Sequence, residues 1–302
     1  MATQSAPTEI VAGADPARWA TAEGPPGPSV TVVMAQAGAE NFPVASRLLA
    51  RRTRSDLLTL YGFARLVDDA GDEAAGDRSA LLDWLEADLE TAWGGSPRHP
   101  LIARLQPTVA ARSLPIEPFR RLIEAGRRDQ IVHRYQTFEE LRGYCALSAN
   151  PVGELVLRVF GAGTPLRIRL SDAICTGLQL AEHVQDVAED YARGRIYLPA
   201  ADRERLGVHE RDLAAARPSP ELRRLLALEV SRARALLDEG APLVRMLRGR
   251  SAVAVAAFLA GGRSALAAIE RSGYDVLGGH PRPGPALRAR ELLAALGRGG
   301  NR

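Results

Sequence analysis

The chain has 302 residues, 46% of them hydrophobic and 25% charged, which fits a globular protein with a sizeable core and excludes a disordered or collagen-like chain. All 39 basic residues are arginine, yet the net charge is only +3 and no basic stripe is interleaved with aromatics, so nucleic acid is not an expected partner. Two cysteines, Cys145 and Cys175, provide neither a metal-ligand spacing nor a disulfide framework, and read as reduced core residues of a cytoplasmic protein.

Residues 1–37, rich in Ala, Pro, Gly and Thr, read as a flexible leader without the regions of a secretory signal. From 38 to 280 the text is helical and reads as one all-α domain, with 281–302 as a C-terminal appendage made of a short helix and a loose end. Leu57, Leu60, Tyr61, Ala64 and Val67 keep a 3.6-residue period. Further helices are expected at 79–93, behind Pro115 and Pro118, and at 138–160, 166–191, 219–238, 242–248, 251–272 and 284–297. "GAGTP" (161–165) lacks the Lys-Ser/Thr of a phosphate loop and reads as a helix stop. Sustained period-two alternation and internal repeats are both missing, which excludes a sheet or a solenoid.

The longest apolar run, 252–262, is too short to cross a bilayer, so membrane contact is expected to be peripheral at most, at the inner face of the cell membrane. The C-terminal "ALRARELLAALGRGG" suits either such an interface or packing on the domain. His99, His209 and His280 lie in loop text and read as exposed. His133 could approach a cavity with Asp129, but at helical spacing the two read as a structural hydrogen-bonding pair, and Trp84 and Trp93 read as packing residues.

Two segments carry chemistry. Asp68 and Asp72 are four residues apart, as are Asp186 and Asp190 about 118 residues later. On a helix this spacing puts both carboxylates on one face, ~6 Å apart along the axis. Such a pair can bracket Mg²⁺, a hard cation that keeps waters and completes its shell with substrate phosphates. One pair alone would more simply be a solvated face. Here each pair adjoins an apolar run, with Arg65 before the first and Arg193 and Arg195 after the second. Carboxylates, arginines and an apolar wall together suit a diphosphate bearing a long hydrocarbon.

"YGFARLVDDAGDE" and "LQLAEHVQDVAEDYARGRIYLP" resemble the two aspartate-rich signatures of the squalene/phytoene synthase family, and "YCALSANPVGELVLRVFG" is similar to its central tyrosine-containing helix. The resemblance covers nearly everything from Glu40 to Leu277. It implies an all-α isoprenoid-synthase bundle with a central cavity and Mg²⁺-dependent ionisation of prenyl diphosphates, Mn²⁺ being an alternative metal. By motif position, Asp68, Asp72, Asp186 and Asp190 would hold the metal. Arg65, Gln179, Arg195 and Tyr197 would attend the diphosphate, and Tyr61 and Tyr144 would line the cavity near the reacting carbons.

"ENFPVASRLL", "SANPVG" and "FLAGGRSALAAIERSGYDVL" look like the bacterial hopanoid-pathway branch. Within it they resemble the enzyme that converts presqualene diphosphate to hydroxysqualene with water and without NADPH. Gln185 stands where condensing members carry arginine, and Glu182 where the family usually has asparagine. Glu182 then reads as a further metal or outer ligand, or as the group that positions or deprotonates the water. The alternatives are a condensing synthase of presqualene diphosphate, squalene or phytoene and, further off, a non-catalytic lipid-diphosphate binder that assembles with neighbouring pathway enzymes.

Overall fold

Leu57, Leu60, Phe63, Leu66 and Val67 share one face of the helix Arg51–Asp72 and are buried, so the first acidic segment rides on the outer edge of an apolar stripe. The computed structural model describes residues 49–297. The leader and all but the last residue of "ENFPVASRLL" lie outside them.

That first helix, α1, is followed by α2 (Arg78–Glu90), α3 (Pro100–Ala103), α4 (Leu105–Arg112), α5 (Glu117–Asp129), α6 (Phe138–Ser148) and α7 (Asn150–Val159). Then come α8 (Pro165–Gln185), α9 (Val187–Ala192), α10 (Ala200–Leu206), α11 (Pro220–Gly240), α12 (Leu243–Met246), α13 (Gly249–Arg271) and α14 (Pro285–Gly297). Starts follow local chemistry. Asp77, Thr137 and Ser219 cap α2, α6 and α11 by accepting backbone N–H bonds from Ala80, Glu140 and Leu222. Pro151, Pro165 and Pro220 stand in first turns, where the missing N–H costs nothing. Gly161, at φ 67°, carries the stop expected in "GAGTP". Among the described residues there is no strand, and the fold is all-α as expected.

Two expected helices are divided. The stretch 138–160 breaks at Ala149, because Pro151 cannot donate back to the preceding turn. The stretch 166–191 breaks at Asp186, whose φ of −98° and ψ of 10° leave the helical well. The short α3, α4 and α10 went unforeseen, having too few turns to show a period. His99, expected to be exposed, is 2% exposed. It caps α3 by accepting from the Leu101 N–H, its own N–H donates to buried Asp88, and burial pushes its imidazole down to about 4. His133 is exposed, and its expected partner Asp129 hydrogen-bonds Tyr144 instead, because α5 ends at Asp129.

The core has two parts. One gathers α1 to α5, with Trp84 and Trp93 packed against it, and the other gathers α8 to α14. Helix α7 joins them, giving Leu155, Val156 and Val159 to the first and Leu157 to the second. Helices α8 and α11 approach closely through glycine: a Cβ on Gly177 would lie 3.0 Å from the Ala233 carbonyl, and one on Gly240 2.6 Å from that of Leu170. "SANPVG" knits α7 to α8, with Thr176 donating to Asn150 at 3.0 Å and Gly153 against Ser171 and Cys175.

The 252–262 run extends into the 23-residue α13, which is long and apolar enough to cross a membrane by length and composition. Its apolar window is nevertheless 61% buried inside the protein, and Arg263 within it pairs with Asp238 of α11, so α13 is a core helix. Helix α14 packs along α13 through Leu287 and Ala295, leaving Leu293 and Leu296 exposed.

Candidate active site

Helix α1 supplies the first wall. Tyr61 is buried, Arg65 follows one turn later, and Asp68 and Asp72 are accessible to solvent. Arg65 pairs with Asp69 at 2.7 Å and with Glu73 at 3.3 Å, so its guanidinium is fixed by its own helix. Desolvation first, and Asp72 second, raise Asp68 to about 7.

The second wall starts on α8 and crosses the break. The bonds Asp186 N–H to Glu182 carbonyl (2.9 Å) and Asp190 N–H to Asp186 carbonyl (2.7 Å) keep Glu182, Asp186 and Asp190 stacked through the interruption. Glu182 is exposed. Burial, then Asp186, raises Asp190 to about 7; Asp186 is raised too, first by burial, against the lowering effect of His280. Past Asp190 the chain turns at Gly194, whose φ of 80° favours glycine, and the Arg195 N–H donates to the Asp190 carbonyl.

"GRIYLP" then zips onto residues 133–136. Ile196, Ala200 and Ala201 donate N–H bonds to the carbonyls of His133, Tyr135 and Gln136, and Arg134 donates to Gly194. This zipper delivers Arg195 to the opposite wall. Its Nη2 donates to Asp72 Oδ1 at 2.6 Å, and that bond is the first cause raising the guanidinium above its ordinary value. The two acidic segments, distant in sequence, therefore face each other.

Behind them is an aromatic stack. His183 lies 3.9 Å from Tyr197 with rings 4° from parallel, Tyr144 is 5.7 Å from Tyr197, and Tyr135 5.5 Å from Tyr144. Burial lowers His183 to about 3, so the ring is neutral, and it pairs with Gln179 at 3.1 Å. Burial raises all three tyrosines above their ordinary range. Tyr144 donates to Asp129 at 2.8 Å; burial raises that carboxyl to about 6, and its other oxygen is buried with no hydrogen-bond partner.

The structure thus joins Arg195 to Asp72 and Tyr144 to Tyr197. Gln179 turns to His183, Gln185 donates to the Pro281 carbonyl at 3.3 Å, and Arg65 pairs with Asp69 of its own wall. Sequence reasoning missed Tyr135 and the contact of His280 with Asp186 at 3.0 Å, and it paired Asp129 with His133 in place of Tyr144. The four-residue spacing of Gln179 and His183 was a readable signal.

Among the described residues no three His, Cys, Asp or Glu side chains converge to hold a metal alone. The donors nonetheless suit a hard divalent cation. They are carboxylate oxygens on facing walls, and crowding and burial hold Asp68 and Asp190 partly protonated near neutrality, a cost that a cation removes. The rest of the shell would be water and phosphate.

A sequence model of the squalene/phytoene synthase family matches residues 35–290. The chain is 34% identical over 210 residues to a hydroxysqualene synthase of Rhodopseudomonas palustris, covering 69% of this chain and 72% of that protein. It is 32% identical over 252 residues to a 15-cis-phytoene synthase of Synechocystis sp., covering 79% and 75%. Among solved structures, squalene synthase HpnC from Alicyclobacillus acidocaldarius matches with a TM-score of 0.76 and 48% identity, over 80% of this chain and 92% of that one.

Proposed function

The chain belongs to the squalene/phytoene synthase family of prenyltransferase-type isoprenoid enzymes, and we propose that it converts presqualene diphosphate and water to hydroxysqualene and diphosphate. The observation that carries this reading is the Arg195–Asp72 bridge across two acidic walls with an aromatic stack behind it. Similarity to hydroxysqualene synthases, together with Gln185 and Glu182 in the second signature, supports it over condensation.

Asp68 and Asp72 from one wall and Asp186 and Asp190 from the other would hold Mg²⁺, or Mn²⁺ in its place. Bound there, the ion would neutralise the diphosphate and draw charge onto the leaving group. Arg195 sits where it can exchange Asp72 for a diphosphate oxygen, and the raised affinity of its guanidinium for the proton keeps it charged throughout. Tyr144, Tyr197 and Tyr135 would face the cyclopropylcarbinyl cation, and the cation to which it rearranges before water adds, with ring faces that carry negative charge density. Their phenols stay protonated, so none competes as a nucleophile. Exposed Glu182 would hold the water and take its proton as the carbon–oxygen bond forms. Water ends the reaction, so no hydride from NADPH is needed.

Head-to-head condensation to presqualene diphosphate, squalene or phytoene is the second reading, favoured by the similarity to phytoene synthase. A cytoplasmic enzyme touching the inner membrane face would suit so apolar a product. Incubation with presqualene diphosphate and Mg²⁺, with and without NADPH, distinguishes the readings. The expected product is the carbinol in both cases, labelled by oxygen-18 water. Squalene, or turnover only with farnesyl or geranylgeranyl diphosphate, overturns the proposal. Glu182→Gln with Mg²⁺ saturating should lower carbinol yield, and an unchanged yield and rate removes Glu182 from the role.

A further inference from the structure

Residues 278–284, the strap between α13 and α14, reach back onto the second acidic wall at two successive positions. His280 Nδ1 lies 3.0 Å from Asp186 Oδ1, with Nε2 3.6 Å from Glu189. The next residue, Pro281, accepts the side-chain amide of Gln185 at 3.3 Å. The strap is shaped for this approach. Gly279 adopts φ 136°, a conformation that favours glycine, while Pro281 and Pro283 restrict the backbone beyond it. Downstream, Leu287 and Ala295 are buried where α14 packs on α13, which anchors the far end.

Asp186 needs such a support. It stands at the break between α8 and α9, outside helical geometry, and its side chain caps neither helix. Asp72 is gripped by Arg195 and Asp69 by Arg65, but the side chain that holds the Asp186 carboxylate comes from the strap. We propose that His280 is a positioning residue: its Nδ1–H holds one oxygen of Asp186 and turns the other toward the cation and diphosphate. Residues 278–284 are then a working part of the active site, and Gln185 is the clasp that docks them. The inference rests on Asp186 being a cation ligand. Ligating groups are commonly oriented by such outer hydrogen bonds, whose loss costs about 10–100-fold in metal affinity.

The test is titration of the full-length protein with Mn²⁺ in the presence of inorganic diphosphate, followed by electron paramagnetic resonance of the free ion. His280→Ala is expected to weaken Mn²⁺ binding about 10-fold. His280→Asn, whose amide N–H stands near the place of Nδ1–H, is expected to stay within about threefold of the unsubstituted protein. A merely structural role predicts no such rescue. Unchanged affinity in His280→Ala, or Asn as poor as Ala, overturns the positioning role. Asp186→Asn separates the two levels: if it titrates like the unsubstituted protein, the metal reading itself fails, whatever His280 does.

Discussion

The two acidic walls carry the same four-residue spacing but are supported in opposite ways. The first lies within one uninterrupted helix, and Arg65, Asp69 and Glu73 brace each other along it. The second straddles a helix break, and the groups that fix it arrive from elsewhere: His280 from the strap, and the zipper with residues 133–136 that aims Arg195. Such a difference is expected of a fixed floor facing a wall that is shaped by its neighbours. On the proposed reading the shared spacing sets which residues would meet a cation, while the dissimilar supports set how each wall should respond to substitution.

If the walls are equal partners in chemistry, Asp72→Asn and Asp190→Asn should each lower turnover, read as diphosphate release, by about 10²–10³-fold. Turnover left intact in both would break the metal reading. Arg195→Ala removes a bond between the walls' own charged groups, a charge-assisted contact at 2.6 Å. It should lower kcat/KM about 10–100-fold, the equivalent of roughly 1.5–3 kcal/mol, and Arg195→Lys should restore only part of that.

Stability should divide the walls as well. Gly240→Ala places a Cβ against the Leu170 carbonyl near the start of α8, the helix that leads into the second wall, and should cost about 1–3 kcal/mol, seen as a lower Tm. In the first wall, a Cβ on Gly71 meets nothing nearer than Gln130 Nε2 at 3.4 Å. Gly71→Ala should therefore be neutral or stabilise by up to about 1 kcal/mol.

The smallest effect is in pH. Asp68 and Asp190 are raised from 3.8 to about 7, chiefly by burial, so between those values the metal-free fold binds more protons than the unfolded chain. Their contribution to stability is full below about 4 and is lost as pH rises through 7. A cation takes over above 7, so Mg²⁺ with diphosphate should raise Tm more at pH 8 than at pH 5. An equal shift at both would show that these carboxylates do not receive the ion.

The periodicity of α1 and the proline and Ser/Thr starts made most long helices readable, because those signals are local. The break at Asp186 was hidden because Glu182, Asp186 and Asp190 keep their register across it. His99 looked like an exposed loop residue because its partner Asp88 comes from remote chain; His280 is exposed as expected, but its contact with Asp186 was equally remote. The four motif aspartates were legible from their spacing and surroundings. Asp129 stood out only as a partner for His133, because the bond it makes instead, from Tyr144, comes from the next helix.

The Arg195–Asp72 bond closes a span of 123 residues. Long spans are entropically costly to close and tend to form late in folding. A growing chain that has released α1 carries two of the four aspartates and none of the groups that face them. Under the proposed function, synthesis order withholds a complete site until Asp186, Asp190 and Arg195 have emerged, and a chain cut short before them carries only the first pair.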